Sequence, residues 1–353
     1  MSDEWHQATL GRIATAASKD TTKLDLSRRA LEAIPAQVFE LEQLTHLDLT
    51  GNHMLEIPPE LGRLTNLRSL TIKHASRLER LPAEIGQLSA LTELHLNGTT
   101  ALASLPNETN ELANLSWLSI HEGGLTSLPE KLDGLASLTE LTLTGNNLTA
   151  LPSSIGNLPL LKKLALGRNP LTDLPTSVAN LGLTFIGLHE CRLTQIPEAV
   201  FGLAELDHLS LAQNKIGSLP GAIVNLPELR VLSMSDNVLS ELPAEIGRCS
   251  RLEILAMHRN RLTQLPDELL DASNLERLEL DGNQLDALPA DLGRLRALKH
   301  LRVEDNNLAS LPRSIVELED LKVLTISGNP LPDRLLAAGE AGIDAVKDYL
   351  RSQ

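Results

Sequence analysis

Histidine is the residue in this sequence best suited to chemistry near neutral pH, because its ring can exchange a proton or bind a metal ion there. Eight of the ten histidines recur at a few positions of a repeated phrase: His46, His74, His95, His121, His189, His208, His258 and His300. No two of them occupy the same position in adjacent repeats, whereas metal ligands must lie within a few ångströms of one another. We therefore expect no metal site, and a metal or small-ligand sensor is kept only as an alternative function.

Catalytic motifs are absent from the sequence. It contains neither the H-E-x-x-H pattern of zinc proteases nor the G-x-x-x-x-G-K-[ST] pattern that binds nucleotide phosphates. Its two cysteines, Cys191 and Cys249, both fall inside the repeats, and neither can be assigned a disulfide partner. We therefore expect no enzymatic activity and no cofactor.

The elements that position the histidines come from a repeat of about 23 residues, L-x-x-L-x-L-x-x-N-x-L-x-x-L-P. Its first leucine is position 1, and fourteen units begin at Thr21, Leu44, Leu67, Leu91, Leu115, Leu138, Leu161, Leu183, Leu206, Leu229, Leu252, Leu275, Leu298 and Leu321. A fixed period of this length indicates a solenoid, since one unit cannot bury its leucines alone. The motif and its period resemble those of leucine-rich repeat proteins of the 23-residue type.

The positions within one unit predict its structure. Leu141 and Leu143 alternate with polar residues, as in a short strand with one buried face. The asparagine at position 9 is expected to satisfy backbone groups where the chain leaves the strand. The proline at position 15 cannot pair inside a strand and belongs on the return. The predicted fold is an α/β repeat, a horseshoe-shaped solenoid with a parallel concave β-sheet, irregular or 3-10 convex returns and a helical cap at each end.

Three domains are predicted: an N-terminal helical cap at residues 1–20, repeats at 21–332 and a C-terminal helical cap at 333–353. In the first cap, one helix over residues 2–19 would place Trp5, Leu10, Ile13 and Ala17 on one face. In the second, residues 335–353 read as a helix in which Ile343, Val346 and Leu350 lie at helical spacing.

Both ends also resemble the repeat region of bacterial Roco proteins. The resemblance rests on GNPLP…AGEAGIDAVKDYLRS near the C-terminus and on I-A-x-A…T-x-L-D-L-S-x-x-x-L-x-x-I-P near the N-terminus. In that family the C-terminal helix leads into a Ras-like GTPase domain. The resemblance implies a bacterial source and a recognition role in signalling. It does not imply GTP binding, because the phosphate-binding loop is missing.

Three units break the period. The units from Leu67 and Leu91 are one residue longer, and the unit from Leu161 is one residue shorter. The asparagine of position 9 is replaced by Ala75, Thr99, Gly123 and Cys191. The long loops resemble variant repeats of plant intracellular immune receptors and of some bacterial effectors. Two interpretations stay open: neutral drift, or a local change of curvature that shapes a binding surface. The short unit is a candidate for a kink.

Positions 2, 3, 5, 7 and 8 point away from the leucine core and define the outward sheet face, where we place the partner-binding residues. The first patch is Lys73, His74, His95, Trp117, His121 and Glu122. The second is Lys162, Lys163, Arg168, Phe185, His189, Glu190 and His208. The third is a charged lattice of Glu253, His258, Arg259, Glu276, Arg277, Glu279, Asp281, Lys299, His300, Arg302, Glu304 and Asp305. Trp117 and Phe185 are candidate anchors. The alternative is a solvated face whose charges neutralise one another across strands.

The net charge of −15 argues against nucleic acid and anionic membranes as main partners, since both attract clustered lysine and arginine. The N-terminus carries Asp3 and Glu4 without an apolar signal segment, and no stretch is apolar enough to span a bilayer. We expect a cytoplasmic protein that binds a partner protein on its concave face. The alternatives are a regulator acting on a GTPase or kinase in trans, and an exported bacterial effector. The sequence leaves the oligomeric state open, with a monomer among the options.

Overall fold

The computed structural model describes residues 3–353, with side chains from Gln7 onward. The interpretation of Ser2 and of the Trp5 side chain therefore lies outside the described residues. The chain divides into two compact units, Met1–Leu183 and Thr184–Gln353. Their boundary lies one residue after the end of the short repeat that begins at Leu161.

The first unit begins with helix α1 (Asp3–Ser18), and its described residues contain seven strands. They are β1 (Lys23–Asp25), β2 (His46–Asp48), β3 (Ser69–Thr71), β4 (Glu93–His95), β5 (Trp117–Ser119), β6 (Glu140–Thr142) and β7 (Lys163–Ala165). The 3-10 helices of the returns are Ala36–Glu40, Pro59–Arg63, Ala83–Gln87, Asn107–Glu111, Ser153–Asn157 and Thr176–Asn180.

The second unit contains seven more strands and ends in two α-helices. The strands are β8 (Phe185–Gly187), β9 (His208–Ser210), β10 (Val231–Ser233), β11 (Ile254–Ala256), β12 (Arg277–Glu279), β13 (His300–Arg302) and β14 (Val323–Thr325). The 3-10 helices are Glu198–Gly202, Gly221–Asn225, Ala244–Arg248, Asp267–Asp271, Leu292–Arg294 and Arg313–Glu317, followed by α2 (Asp333–Ala341) and α3 (Ile343–Ser352).

Within each unit the strands form a parallel sheet in which every strand pairs with the next one along the chain. Equivalent repeat positions are opposite each other, as in Leu47 with Leu70 and Leu209 with Leu232. These leucines are buried, and the residues before and after them in each strand point outward, so the leucines of successive repeats share one core. The predicted fold class is confirmed in its parallel sheet, its 3-10 returns and its flanking helices.

Proline directly precedes most of the 3-10 helices, as expected for a residue without a backbone N–H at the start of a helix. Pro58 and Pro82, for example, have extended backbone just before Pro59–Arg63 and Ala83–Gln87. The repeat from Leu115 departs from this pattern. Its residues 130–135 form bends and turns, and the Gly134 N–H donates to Asn110 Oδ1 at 2.8 Å.

The position-9 asparagines form the predicted ladder between repeats. Asn237 Nδ2 donates to the carbonyls of Met234, in its own repeat, and Leu211, in the preceding one, both at 3.0 Å, and its Oδ1 accepts the Ile216 N–H at 2.9 Å. The same arrangement recurs at Asn52, Asn146, Asn169, Asn214, Asn260, Asn283, Asn306 and Asn329. Each asparagine thus satisfies buried backbone groups of two repeats.

Position 8 has left-handed backbone in every repeat, a feature that the sequence analysis did not predict. Five repeats have glycine there, and the others have residues such as His74 (φ 55°), Glu122 (φ 52°) and Arg259 (φ 52°). A non-glycine residue is strained in this region. The turn that passes the chain from the strand to the ladder asparagine therefore fixes the backbone even where the residue type does not favour it.

The two caps differ in detail from their predictions. In α1 the buried residues are Thr9, Ile13 and Ala16, whereas Leu10 is half-buried and Ala17 is exposed, so the buried face is rotated from the expected one. At the C-terminus the chain forms two helices, because Gly342 has a φ of 115° and ends α2 before α3 begins.

The α3 helix is held against the last repeats by apolar and polar contacts. Of the three residues predicted to lie at helical spacing, Val346 and Leu350 are buried and Ile343 is half-buried. Lys347 is also buried and donates from Nζ to the Leu318 carbonyl at 2.6 Å. The Leu318 carbonyl also accepts the Leu321 N–H at 3.4 Å, so Lys347 adds a second donor to it.

The ladder predicts unequal costs for removing two asparagines of the second unit. Asn237→Ala should lower the free energy of unfolding by about 1–3 kcal/mol, because buried backbone groups lose their partners. Asn225→Ala, an exposed position in the 3-10 helix Gly221–Asn225, should change it by less than about 0.5 kcal/mol. Urea denaturation followed by circular dichroism measures both, and equal effects would contradict this role of the ladder.

Candidate partner-binding face

The first patch is centred on Trp117, at position 3 of its repeat in β5. Neighbouring strands place Ser69, Glu93, Trp117, Glu140 and Lys163 side by side as register partners, and we call this set the Trp117 row. Trp117 is 39% exposed and belongs to the few large apolar side chains that are exposed in the described structure. A tryptophan kept in solvent on a rigid sheet is a typical interface anchor.

His95 supports Trp117 from below. The two rings meet edge-to-face, with centroids 4.5 Å apart and planes at 89°, and His95 is only 7% exposed. Its Nε2 lies 3.7 Å from Glu93 Oε2, which also accepts the Ser69 hydroxyl at 3.3 Å. Burial lowers the pKa of His95, the charge of Lys73 adds to the effect, and Glu93 opposes it. His95, a predicted partner-binding residue, is thus largely buried and lies against the ring of Trp117.

The other members of the first patch lie along the ends of the strands. His121 Nε2 lies 3.5 Å from Glu122 Oε1, and Arg168 NH1 donates to the same oxygen at 3.2 Å. Lys73 is half-buried, and His74 is exposed. The structure therefore groups His95 with Trp117 and Glu93, and groups His121 and Glu122 with Arg168 from the second patch.

Asn97 is a residue of this region that the sequence analysis missed. Its Oδ1 accepts the Ser119 hydroxyl and the His121 N–H, both at 2.8 Å. It lies at position 7 of a long repeat in which Thr99 replaces the ladder asparagine, and Thr99 itself donates to the Leu96 carbonyl at 2.7 Å. An asparagine two residues before the missing ladder residue was the available signal.

The predicted second patch divides between the two units. Lys162, Lys163 and Arg168 belong to the first unit, where Lys163 Nζ lies 3.5 Å from Glu140 Oε2. Phe185, His189 and His208 belong to the second.

In the second unit the rings of Phe185 and His208 are 5.0 Å apart at 44°. Burial lowers the pKa of His208, and Asp207 opposes that shift. The same repeat position continues with Val231 and Ile254, both half-buried, so a largely apolar strip crosses β8 to β11. The sequence analysis missed both aliphatic residues, although an apolar side chain at an outward position was a usable signal.

The third patch is a network of opposite charges. His258 Nδ1 lies 2.8 Å from the Ser235 hydroxyl and 3.9 Å from Glu279 Oε2, and Arg259 Nε lies 2.7 Å from Asp236 Oδ1. Arg277 NH1 is 3.8 Å from Glu279 Oε1. These pairs match the alternative interpretation, in which the lattice neutralises itself.

Two further members of this lattice have different surroundings. Arg302 is exposed on β13. Burial raises the pKa of Asp281, the charge of Glu304 adds to the shift, and the Glu304 N–H and the charges of Arg302 and His258 oppose it.

The remaining side chains able to react are two cysteines that form no disulfide. Cys191 and Cys249 are buried free thiols, and burial raises the pKa of Cys249 to about 11. Among the described residues, no group of three or more His, Cys, Asp and Glu side chains is arranged to hold a metal ion. No helix of the described residues is both long enough and apolar enough to cross a membrane.

Comparison with known proteins gives the family. A family model described as a leucine-rich repeat region matches residues 59–147. A second leucine-rich repeat model matches residues 182–239 and 273–331, and a third matches residues 43–64 and 137–158. A leucine-rich repeat protein of Leptospira interrogans is 31% identical, with 91% of this chain and 94% of that one covered and a TM-score of 0.70. This chain belongs to the leucine-rich repeat family. The family and fold are typical of non-enzymatic protein-binding scaffolds.

Two more proteins match over part of their own length. The plant peptide hormone receptor RGFR1, in complex with RGF2, is 30% identical with a TM-score of 0.71, and the alignment covers 88% of this chain and 52% of the receptor. The leucine-rich repeat protein SHOC-2 of Danio rerio is 40% identical over 52 residues, which are 15% of this chain and 9% of that protein.

Two histidines whose pKa is lowered by burial, one buried and one half-buried, predict how stability depends on pH. His95 and His208 have folded-state pKa values below the ordinary 6.5, so the unfolded chain takes up their protons first. Above about pH 6.5 the two rings do not lower the free energy of unfolding. As the pH falls below that value, the unfolded chain binds protons more readily than the folded one, so the free energy of unfolding decreases. A double variant, His95→Gln with His208→Gln, should lose less unfolding free energy than the parent between pH 7.5 and 5.5. His53→Gln, at an exposed position, is the control in urea titrations, and a parent-like pH dependence in the double variant would contradict the assignment.

Proposed function

We propose that this protein is a non-enzymatic module that binds a partner protein through its outward sheet face, which we expect to be concave. The observation that carries the proposal is the Trp117–His95 pair. His95 is buried and meets the exposed Trp117 edge-to-face, and this contact holds the indole in place before binding. A preorganised anchor loses little conformational entropy in a complex, so more of its contact energy appears as affinity.

The strip of the second unit offers a second anchoring area. Phe185 packs on His208, and the neighbouring strands continue with Val231 and Ile254. Arg230 borders the strip and is paired with Glu253 at 2.7 Å and Asp207 at 3.4 Å. An apolar centre with a polar border is the usual composition of a protein interface. The complex of the related receptor RGFR1 with RGF2 also supports a binding role.

We also propose, as a second candidate, that the protein regulates a GTPase or kinase in trans as part of a bacterial signalling system. The support is the resemblance of residues 328–352 to the segment that joins repeats and GTPase in Roco proteins. Helix α3 exposes Asp344, Asp348 and Arg351 beside its buried face, which leaves a polar surface for a partner. A cytoplasmic location is part of this proposal and is supported by the two buried free thiols.

The direct test is affinity capture from native lysate with the parent chain and with a Trp117→Ala, Phe185→Ala double variant. We expect the parent to retain a specific protein and the double variant to retain at least about tenfold less, because aromatic anchors contribute about 2 kcal/mol or more each. Circular dichroism must show that the variant folds. A Leu55→Ala, Leu160→Ala variant is the matched control, since it removes two other exposed apolar side chains.

The outcomes separate the two candidates. Loss of capture only in the aromatic variant supports binding through the outward sheet face. Equal capture by all three proteins places binding elsewhere and favours α3, which an Asp344→Ala, Arg351→Ala variant then tests. Failure of the parent to retain any protein from the lysate of its own source would count against both.

A further inference from the structure

The immediate neighbours of Trp117 in its row are two carboxylates. Glu93 and Glu140 are its register partners on β4 and β6, and adjacent strands lie about 4.8 Å apart. Their side chains are 45% and 34% exposed, so both carboxylates are accessible to a partner. An exposed indole therefore lies between two acidic groups on a rigid sheet.

The cation of the Trp117 row itself lies one strand beyond Glu140. Lys163, on β7, is held at 3.5 Å from Glu140, and Arg68 and Lys73 belong to the repeat of β3. The ring contact of Trp117 within the described residues is with His95, whose low pKa keeps it uncharged near neutral pH. The position next to the indole is thus acidic and is not neutralised by the ring that supports it.

We propose that the Trp117 row binds an arginine side chain of the partner protein. A guanidinium can stack on an indole face and donate two hydrogen bonds to a neighbouring carboxylate at the same time. Glu93 and Glu140 supply such a carboxylate on either side of the ring. The net charge of −15 favours the approach of a basic segment over a long range. This inference rests on the proposed function and specifies the chemistry of its partner.

The alternative partner chemistries fit the row less well. An acidic side chain would meet Glu93 and Glu140, and an aliphatic one would bury their charges without compensation. Lysine could also lie against the ring, but an ammonium cannot form the paired hydrogen bonds that a planar guanidinium forms with a carboxylate. Arginine is therefore the side chain that uses all three residues.

Trp117 itself provides the readout. The chain has two tryptophans, so Trp5→Phe leaves Trp117 as the sole indole emitter. The probe is the capped pentapeptide Gly-Gly-Arg-Gly-Gly, titrated at constant ionic strength, and its neutral isostere carries citrulline in place of arginine. We expect a saturable change of Trp117 emission with the arginine peptide, affinity about three- to tenfold weaker with the lysine peptide, and no saturable change with citrulline.

The carboxylates are tested in the same background. Glu93→Gln with Glu140→Gln should weaken binding of the arginine peptide at least about fivefold. The control, Glu60→Gln with Glu130→Gln, removes the same charge from two exposed glutamates of the returns and should bind as the parent does. If the first pair disturbs folding, Glu140→Gln alone is used, because Glu140 does not contact His95 in the described structure.

Three results would overturn the inference: no saturable response to the arginine peptide, an equal response to citrulline, or parent-like binding by the Glu93 and Glu140 variant. Each is distinguishable from failure of the proposed function. If lysate capture still depends on Trp117 and Phe185 while the arginine peptide does not bind, the binding face stands and only the partner chemistry falls.

Discussion

Every repeat of this protein depends on its neighbour to satisfy the polar groups of its own backbone. A strand of three residues and a short 3-10 helix leave carbonyls and N–H groups that the repeat itself cannot pair. Strand pairing, the position-9 asparagines and contacts between returns provide those partners across repeats. Buried polar groups without partners are costly, so stacking follows from hydrogen bonding as much as from leucine burial.

The repeats that lack the asparagine show how strong this requirement is. Ala75 is a buried apolar residue at this position. Thr99 donates its hydroxyl to the Leu96 carbonyl, and Asn97 in the same repeat accepts the N–H of His121 from the following repeat. Gly123 has another reason to be small, since a side-chain carbon there would lie 2.6 Å from Asn146 Oδ1. Each of these substitutions therefore has its own local physical account.

The sequence predicted the fold well because its signals are periodic and local. Each repeat position predicts one location: leucines 4 and 6 in the core, the asparagine in the ladder and the proline at the start of the return. The structure places these residues there. The break at Gly342 and the rotated face of α1 were missed because they depend on packing at the ends of the array, where the period no longer constrains the chain.

The candidate site was less predictable for a related reason. Periodicity showed that position 5 points out of the leucine core, but it could not show that Trp117 covers His95 at that position. Burial on the outward face depends on the size of the side chain in the next repeat. The same limit hid Val231 and Ile254, which continue the row of Phe185 and His208 on the next two strands.

In-register stacking also determines which chemistry the sheet can present. One position of the repeat becomes a row with a spacing of about 4.8 Å, so each side chain interacts mainly with the residues one repeat before and after it. In the row of position 2, Asp207, Arg230 and Glu253 alternate in sign, and a partner would have to displace existing ion pairs. In the Trp117 row, two acids flank an aromatic ring and, among the described residues, only Glu140 is paired with a lysine, Lys163, so a cation can add contacts to Glu93 and the indole while the ring stays on His95. The order of residues along a row, more than their number, therefore decides where a sheet of this kind can bind.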